Sequence, residues 1–177
     1  LRGASMNATS IVVVAGIAPG NGVGVGIWGA GTRTAAADYG AASFWGVEDL
    51  TISALTNEEG CGNLIEIVHS EHVTLRRVRI NGCYYHGLEV DSSRHFLVQD
   101  CVFSGAYTFA SSGSYIQFDN GVSGPRSTLP TATSVTYGTF ERCRYLRRPD
   151  TDACARDIDM RHAAIALSAI YFIDCYF

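Results

Sequence analysis

Two stretches of the chain, residues 63–80 and 86–103, carry the same alternation of apolar and polar side chains. Alternation with a period of two indicates short β-strands with one buried face, and no window shows a sustained helical stripe. The two stretches superpose at an offset of 23 residues, which aligns these apolar pairs: Ile65 with Leu88, Ile67 with Val90, Val73 with Phe96, Leu75 with Val98, Val78 with Cys101, and Ile80 with Phe103.

Further copies of the same short strands extend the repeat along the chain. One strand recurs as Leu50-Thr51-Ile52, Cys101-Val102-Phe103, Cys143-Arg144-Tyr145 and Cys175-Tyr176-Phe177, and the other as Ile116-Gln117-Phe118 and Ile158-Asp159-Met160. Successive copies of the first strand, starting at positions 50, 78, 101, 143 and 175, are separated by 28, 23, 42 and 32 residues. Repeats that keep their strands and vary their loops predict an all-β solenoid, the parallel β-helix.

The residue before each copy of the first strand gives an independent test of the repeat, because only apolar positions defined the repeat. In adjacent strands about 4.8 Å apart, opposite charges at facing positions stabilise and like charges destabilise. The charges at these positions alternate strictly and predict a ladder of ion pairs, in the order Asp49, Arg77, Asp100, Arg142, Asp174.

Length and composition predict one domain over residues 1–177, with loop insertions at 119–135 and 147–156. Thirteen Arg, no Lys and seventeen acidic residues argue against nucleic acid as the partner. No apolar run is long enough to cross a bilayer, and no signal peptide is apparent. Because a solenoid needs caps at its ends, we expect the chain to be a section of a longer protein.

The cysteines predict buried thiols, not a disulfide framework or a zinc site. Cys101, Cys143 and Cys175 fall on one inward-facing column, where a reduced cysteine behaves as a small hydrophobe. The others, Cys61, Cys83 and Cys154, fall in turns without paired metal-ligand spacing.

The opening RGASMNATSI and the repeat NGCYYHGLEVDSSRHFLVQDCVFSG resemble the right-handed parallel β-helix proteins of the pectate-lyase-like superfamily, which includes phage tailspikes and polysaccharide-degrading enzymes. The resemblance covers most of the chain and rests on the form of the repeats, so it implies the fold more directly than any activity. It implies an extracellular or virion location, such as a phage tail, polysaccharide as the partner, and a homotrimer if the chain belongs to a tailspike.

Acidic side chains gather on the outward positions of one predicted sheet. With Ile65, Leu88, Ile116 and Ile158 inward, the outward positions form two columns, flanked by Tyr115 and Asp157: Glu66, Glu89, Gln117, Asp159 and then Val68, Asp91, Asp119, Arg161. Like charges on adjacent strands oppose folding, and such unfavourable clusters often serve function.

This cluster predicts a glycosidase site. Carboxylates a few ångströms apart do not all ionise easily, so one keeps a proton while its neighbour stays charged, as an acid and base or nucleophile pair requires. We expect Glu66, Glu89, Asp91, Asp119 and Asp159 to supply the catalytic carboxyls, with Gln117 and Asp157 among the substrate contacts. Tyr115 is expected to stack on a sugar ring, and Arg161 to hold an acidic group of the polysaccharide.

Two other functions fit the same residues. No cofactor is required for hydrolysis, but carboxylates with Asn120 at strand ends also suit calcium, as in a calcium-dependent polysaccharide lyase, whose base would be Arg94, Arg161 or a histidine. A non-catalytic structural or receptor-binding β-helix needs only a polar solvent face. His72 and His95 share one turn position and are interpreted as turn residues.

Overall fold

The structure is a computed structural model that describes residues 1–13, 23–28, 44–54, 63–68, 70–82, 86–91, 93–105, 114–119, 134–146, 156–159 and 166–177. These ranges contain β-strands and no helix. The strands are β1 Ser10–Val13, β2 Val23–Trp28, β3 Gly46–Ala54, β4 Asn63–Val68, β5 Thr74–Asn81, β6 His86–Asp91, β7 Arg94–Gln99, β8 Val102–Ser104, β9 Ser114–Asp119, β10 Ser134–Glu141, β11 Arg144–Leu146, β12 Arg156–Asp159 and β13 Ala166–Ile173.

The strands form two sheets in which every described pair is parallel. The first sheet has the order β1-β3-β5-β7-β10-β13, with β8 paired to β5 and β11 paired to β8. The second sheet has the order β12-β9-β6-β4-β2, so the chain visits the two sheets in turn. The predicted all-β class is therefore confirmed, with parallel sheets. The two predicted insertions lie, apart from their ends, outside the described residues.

The strand register agrees with the register that the repeat predicted. Ile65 pairs with Leu88 in the second sheet, and Leu75 pairs with Val98 in the first. These apolar side chains are buried and belong to one hydrophobic core. Aromatic contacts join the sheets across this core: the ring centroids of Phe118 and Phe140 lie 6.1 Å apart.

Two rows of residues with positive φ mark bends of the chain within the strands of the first sheet or at their ends. In each repeat the two bends are five residues apart. One row, here called the aromatic row, contains Phe44, His72, His95, Tyr137 and Ala169; the other, the charged row, contains Asp49, Arg77, Asp100, Arg142 and Asp174. A left-handed conformation costs a non-glycine residue about 1–2 kcal/mol, and at most of these bends contacts between the side chains of neighbouring repeats offset that cost.

The charged row forms two of the predicted ion pairs, Asp49 with Arg77 and Asp100 with Arg142. Arg77 donates to Asp49 from Nε and Nη2, and Arg142 donates to Asp100 from Nε and Nη2 at 2.7 and 3.0 Å. Arg2 extends the alternation by one member, because its Nε lies 3.2 Å from Asp49 Oδ2. The hydrogen bond from Arg77 lowers the pKa of Asp49 to about 2, and Arg142 likewise lowers the pKa of Asp100.

The first four members of the aromatic row form a continuous stack of rings at the protein surface. Ring centroids lie 4.8 Å apart for Phe44 and His72, 5.1 Å for His72 and His95, and 4.8 Å for His95 and Tyr137. Each inner ring has both faces covered by its neighbours, so the row presents ring edges to solvent and is not a flat platform. His72 lies in a bend ahead of β5, as the sequence predicted, whereas His95 is the second residue of β7; both have a positive φ.

The inward cysteine column is also present. Cys101, Cys143 and Cys175 are free thiols, the first two buried and the third half-buried. The neighbouring Cys101 thiol and burial hold the pKa of Cys143 well above its ordinary value. These cysteines therefore serve as core residues. Cys61, Cys83 and Cys154 lie outside the described residues.

Candidate functional site

The second sheet assembles the predicted acidic columns at the level of the backbone. Glu66 pairs with Glu89, Glu89 with Gln117, and Gln117 with Asp159 across four neighbouring strands. The next column pairs Val68 with Asp91 and Asp91 with Asp119. Asp91, Asp119, Asp157 and Asp159 are described only as backbone positions in these strands, and Arg161 lies outside the described residues.

The side chains of Glu66 and Glu89 are buried, which corrects the expectation of a solvent-facing acidic surface. Only 3% of Glu66 and 2% of Glu89 is exposed, and Gln117 beside them is also buried. The alternation of apolar and polar residues identified the face on which these side chains lie, but it carries no information about whether that face is covered. A carboxylate withdrawn from water needs hydrogen-bond donors.

Asn63 is such a donor for both carboxylates. Its Nδ2 donates to Glu66 Oε1 at 2.7 Å and also to Glu89 Oε2. One amide nitrogen carries two hydrogens, so it can serve both acceptors at once. Two acceptors bound to one nitrogen at ordinary hydrogen-bond distances lie no more than about 6 Å apart. Asn63 therefore ties the two carboxyl groups into one cluster.

A second buried polar contact lies at the start of the same strands. His86 Nδ1 and Ser114 Oγ are 2.8 Å apart, and both residues are buried. Asn63, His86 and Ser114 occupy paired positions on β4, β6 and β9. Each member of this row lies two residues before an inward apolar residue, so the strand register alone could have predicted the row, which was not among the expected site residues.

Tyr115 is a core residue, and the expectation that it stacks on a sugar was wrong about its orientation. Only 1% of the residue is exposed, its ring lies 6.4 Å from that of Phe103, and its hydroxyl donates to Leu146 O at 2.9 Å. At this position, near the start of the strand, the side chains of the second sheet face the core. A Cβ added to Gly87, at the equivalent position of β6, would lie 3.1 Å from Ile80 Cγ2. Because Ile116 faces inward, strict alternation would turn Tyr115 outward, and this alternation does not hold here.

The site as described is a set of hydrogen-bonded carboxyl and amide groups without a metal-binding arrangement. Among the described residues, no three His, Cys, Asp or Glu side chains come together in a way that could hold a metal ion. The described part of the chain also has no helix of the length and apolarity needed to cross a membrane.

Comparison of the chain with protein-family models, curated proteins and solved structures finds no match.

Proposed function

We propose that this chain is part of a right-handed parallel β-helix that binds and cleaves polysaccharide as a glycoside hydrolase, in an extracellular or virion setting. The fold proposal is supported by parallel strands that alternate between two sheets and pair in register from repeat to repeat. Bends at fixed five-residue spacing are consistent with a chain that wraps around a continuous core. The trimer implied by the resemblance to tailspikes is part of this proposal, and light scattering on the purified protein tests it.

The observation that carries the proposed activity is the pair formed by Glu66 and Glu89, joined through Asn63. A glycosidase uses two carboxyl groups, one to protonate the leaving oxygen and one to act as nucleophile or base. A retaining enzyme places them about 5–5.5 Å apart, which the shared amide donor permits. Keeping two carboxylates on adjacent strands costs stability, and a catalytic role would account for their retention.

The proposed roles follow from the positions of the two side chains. One carboxyl donates its proton to the glycosidic oxygen as that bond breaks, while the other carboxylate bonds to the anomeric carbon. Water then displaces this second carboxylate and gives a proton back to the first, which restores both groups and completes hydrolysis. Asn63 would hold both groups at the required separation, acting as a positioning residue. Asp91, Asp119 and Asp159, on β6, β9 and β12 of the same sheet, are proposed to line the sugar-binding surface.

Release of reducing ends from purified bacterial capsular polysaccharides tests this activity. Glu66→Gln and Glu89→Gln keep the shape of each side chain and remove its charge, so each should lower the rate at least about 100-fold, as loss of a general acid or base does. Glu141→Gln is the matched control, since this glutamate lies in the first sheet beside Arg142. Full activity in both site variants would exclude the assignment, and new ultraviolet absorbance from unsaturated ends would indicate a lyase.

Burial of the same carboxylates favours a second candidate, a non-catalytic structural or receptor-binding β-helix. Glu66, Glu89 and Gln117 are covered in this conformation, and a buried, hydrogen-bonded polar cluster can serve to fix the strand register alone. Polysaccharide binding without any release of reducing ends, in the presence or absence of calcium, would support this candidate over the hydrolase.

A further inference from the structure

The first sheet carries a groove that is separate from the acidic columns of the second sheet. Its volume is about 840 Å³, and its lining includes Met6, Val102, Arg144, Leu146, Asp174 and Tyr176. Ligand-binding clefts in proteins commonly occupy about 300–1,000 Å³. The groove is therefore large enough to hold a ligand without any change in the fold.

The groove runs across the strands. Thr51, Arg79, Val102, Arg144 and Tyr176 form one register row, each paired with the next. Thr51 Oγ1 donates to Met6 O at 2.6 Å, which places Met6 beside the first member of the row. The members of this row that line the groove, Val102, Arg144 and Tyr176, span two steps of about 4.8 Å, or about 10 Å, and Met6 extends the lining towards Thr51. This shape suits an extended linear polymer better than a compact small molecule.

The charged groups of the groove are not equally available to a ligand. Asp100 and Arg142 neutralise each other through two hydrogen bonds. Arg144 is exposed, and among the described residues no acidic group lies within ion-pair distance of it or of Arg79, which is two strands away in the same row. A guanidinium without an acidic partner binds a carboxylate through two parallel hydrogen bonds.

Apolar surface lies directly beside this cation. Tyr176 is 69% exposed and forms an isolated parallel β-bridge with Arg144. Leu146 is also exposed. An exposed aromatic ring offers an apolar face with a polar hydroxyl at one end. A sugar that carries a carboxylate presents the same combination, an apolar ring face and a negative charge.

We propose that this groove binds a segment of an acidic polysaccharide, with a uronic acid carboxylate on Arg144 and a sugar ring against Tyr176. Asp174 at the end of the groove accepts hydrogen bonds from sugar hydroxyls. The inference rests on the proposed function, because the polymer held here is of the same class as the one cleaved at Glu66 and Glu89. The groove is a second contact that keeps a long polymer on the protein between cleavage events.

Affinity electrophoresis of the full chain through gels containing polygalacturonate, alginate or hyaluronate tests this binding, with dextran as the neutral polymer. We expect retardation by at least one of the three acidic polymers and none by dextran. Arg144→Ala and Tyr176→Ala should each weaken binding about tenfold, and Tyr176→Phe should retain it. Arg76→Ala is the control, since Arg76 is an exposed arginine of β5 that does not line the groove. Thermal unfolding confirms that each variant is folded.

The outcomes separate this inference from the proposed function. Equal losses in Arg144→Ala and Arg76→Ala would mean nonspecific attraction and would overturn the groove assignment, as would equal binding of dextran. If Glu89→Gln abolishes cleavage but Tyr176→Ala leaves polysaccharide binding unchanged, the groove assignment is overturned and the proposed hydrolase activity is not. If none of the acidic polymers binds and no polysaccharide is cleaved, both proposals fail.

Discussion

Arg77 binds Asp49 on the adjacent strand through two hydrogen bonds, from Nε to Oδ1 at 2.5 Å and from Nη2 to Oδ2 at 2.9 Å. Two parallel hydrogen bonds fix the relative position of two bends, so this pair contributes to strand register as well as to stability. Arg77→Ala should lower the thermal unfolding temperature more than Arg76→Ala, whose side chain has no ion pair among the described residues. The difference should shrink in 1 M salt, where charges are screened within about 3 Å. Equal effects of the two substitutions would contradict this role.

The same pair predicts loss of stability in acid. Asp49 has a pKa of about 2 in the folded protein because of Arg77, against about 3.9 in an unfolded chain. A depressed carboxyl pKa stabilises the fold fully above pH 4 and progressively less as the pH falls towards 2, because protons then favour the unfolded state. Denaturant unfolding at pH 6, 4, 3 and 2 should therefore show a decline that is smaller in Asp49→Asn. A parallel decline in both proteins would exclude this carboxyl as the cause.

Gly138 lies at a position where any side chain would collide with a buried ring. It pairs with Phe96 across the strands, and a Cβ at Gly138 would overlap that ring. Phe96 is buried and packs edge-on against Phe140, so it has little room to move. Gly138→Ala should cost about 1–3 kcal/mol of unfolding free energy, as overpacking does. Gly46→Ala is the control, because its nearest contact would be an ordinary 3.5 Å. Similar unfolding curves for the two variants would contradict the packing argument.

Ala169 occupies the aromatic-row position of the last repeat without a ring to stack. Its φ of 53° carries the same strain as the other bends. Ala169→Gly should remove strain of about 1 kcal/mol, although greater freedom of the unfolded chain cancels part of that gain. We expect a small rise in thermal unfolding temperature. Ser168→Gly, one residue earlier within β13, should lower it, and a fall in both would show that strain at residue 169 is not released by glycine.

Asn63 should be required for the stability of the acidic pair. Asn63→Ala removes a donor shared by two buried carboxylates, which should cost about 1–3 kcal/mol. Adding Glu89→Gln removes one of the two charges and should recover part of that loss, a coupling that a double-mutant cycle measures. Asn81→Ala, which loses a half-buried contact to Ser104, is the control with a smaller expected effect. Strict additivity of the Asn63 and Glu89 substitutions would show that the two side chains do not act together.

Register was the part of this structure most accessible from sequence. The period-two alternation paired Ile65 with Leu88, and the sequence of opposite charges from Asp49 to Asp174 identified the bends that stack on one another. Both signals work because side chains at facing positions interact directly, so a wrong register would place like charges or mismatched faces together.

The surroundings of the side chains were less accessible. Alternation placed Glu66 and Glu89 together but did not reveal their burial, since the period of a strand says nothing about what covers its face. Tyr115 was assigned to the wrong face because the alternation counted back from Ile116 does not hold at the second residue of β9. The ring stacking of Phe44, His72, His95 and Tyr137 was not predicted, because Phe44 and Tyr137 lie outside the two stretches, 63–80 and 86–103, in which the repeat is clearest.

The constant five-residue distance between the two bends of each repeat separates what this molecule must preserve from what it can vary. Adding one residue between His95 and Asp100 would move Asp100 out of reach of Arg142 and turn Phe96 or Val98 away from the core, so that segment tolerates no change in length. From position 101 to 143 the interval is 42 residues, while from 78 to 101 it is 23, although both intervals connect equivalent strands. New peptide segments are therefore best introduced outside the pair of bends, where the native chain already accommodates a difference of 19 residues between one repeat and the next (42 − 23).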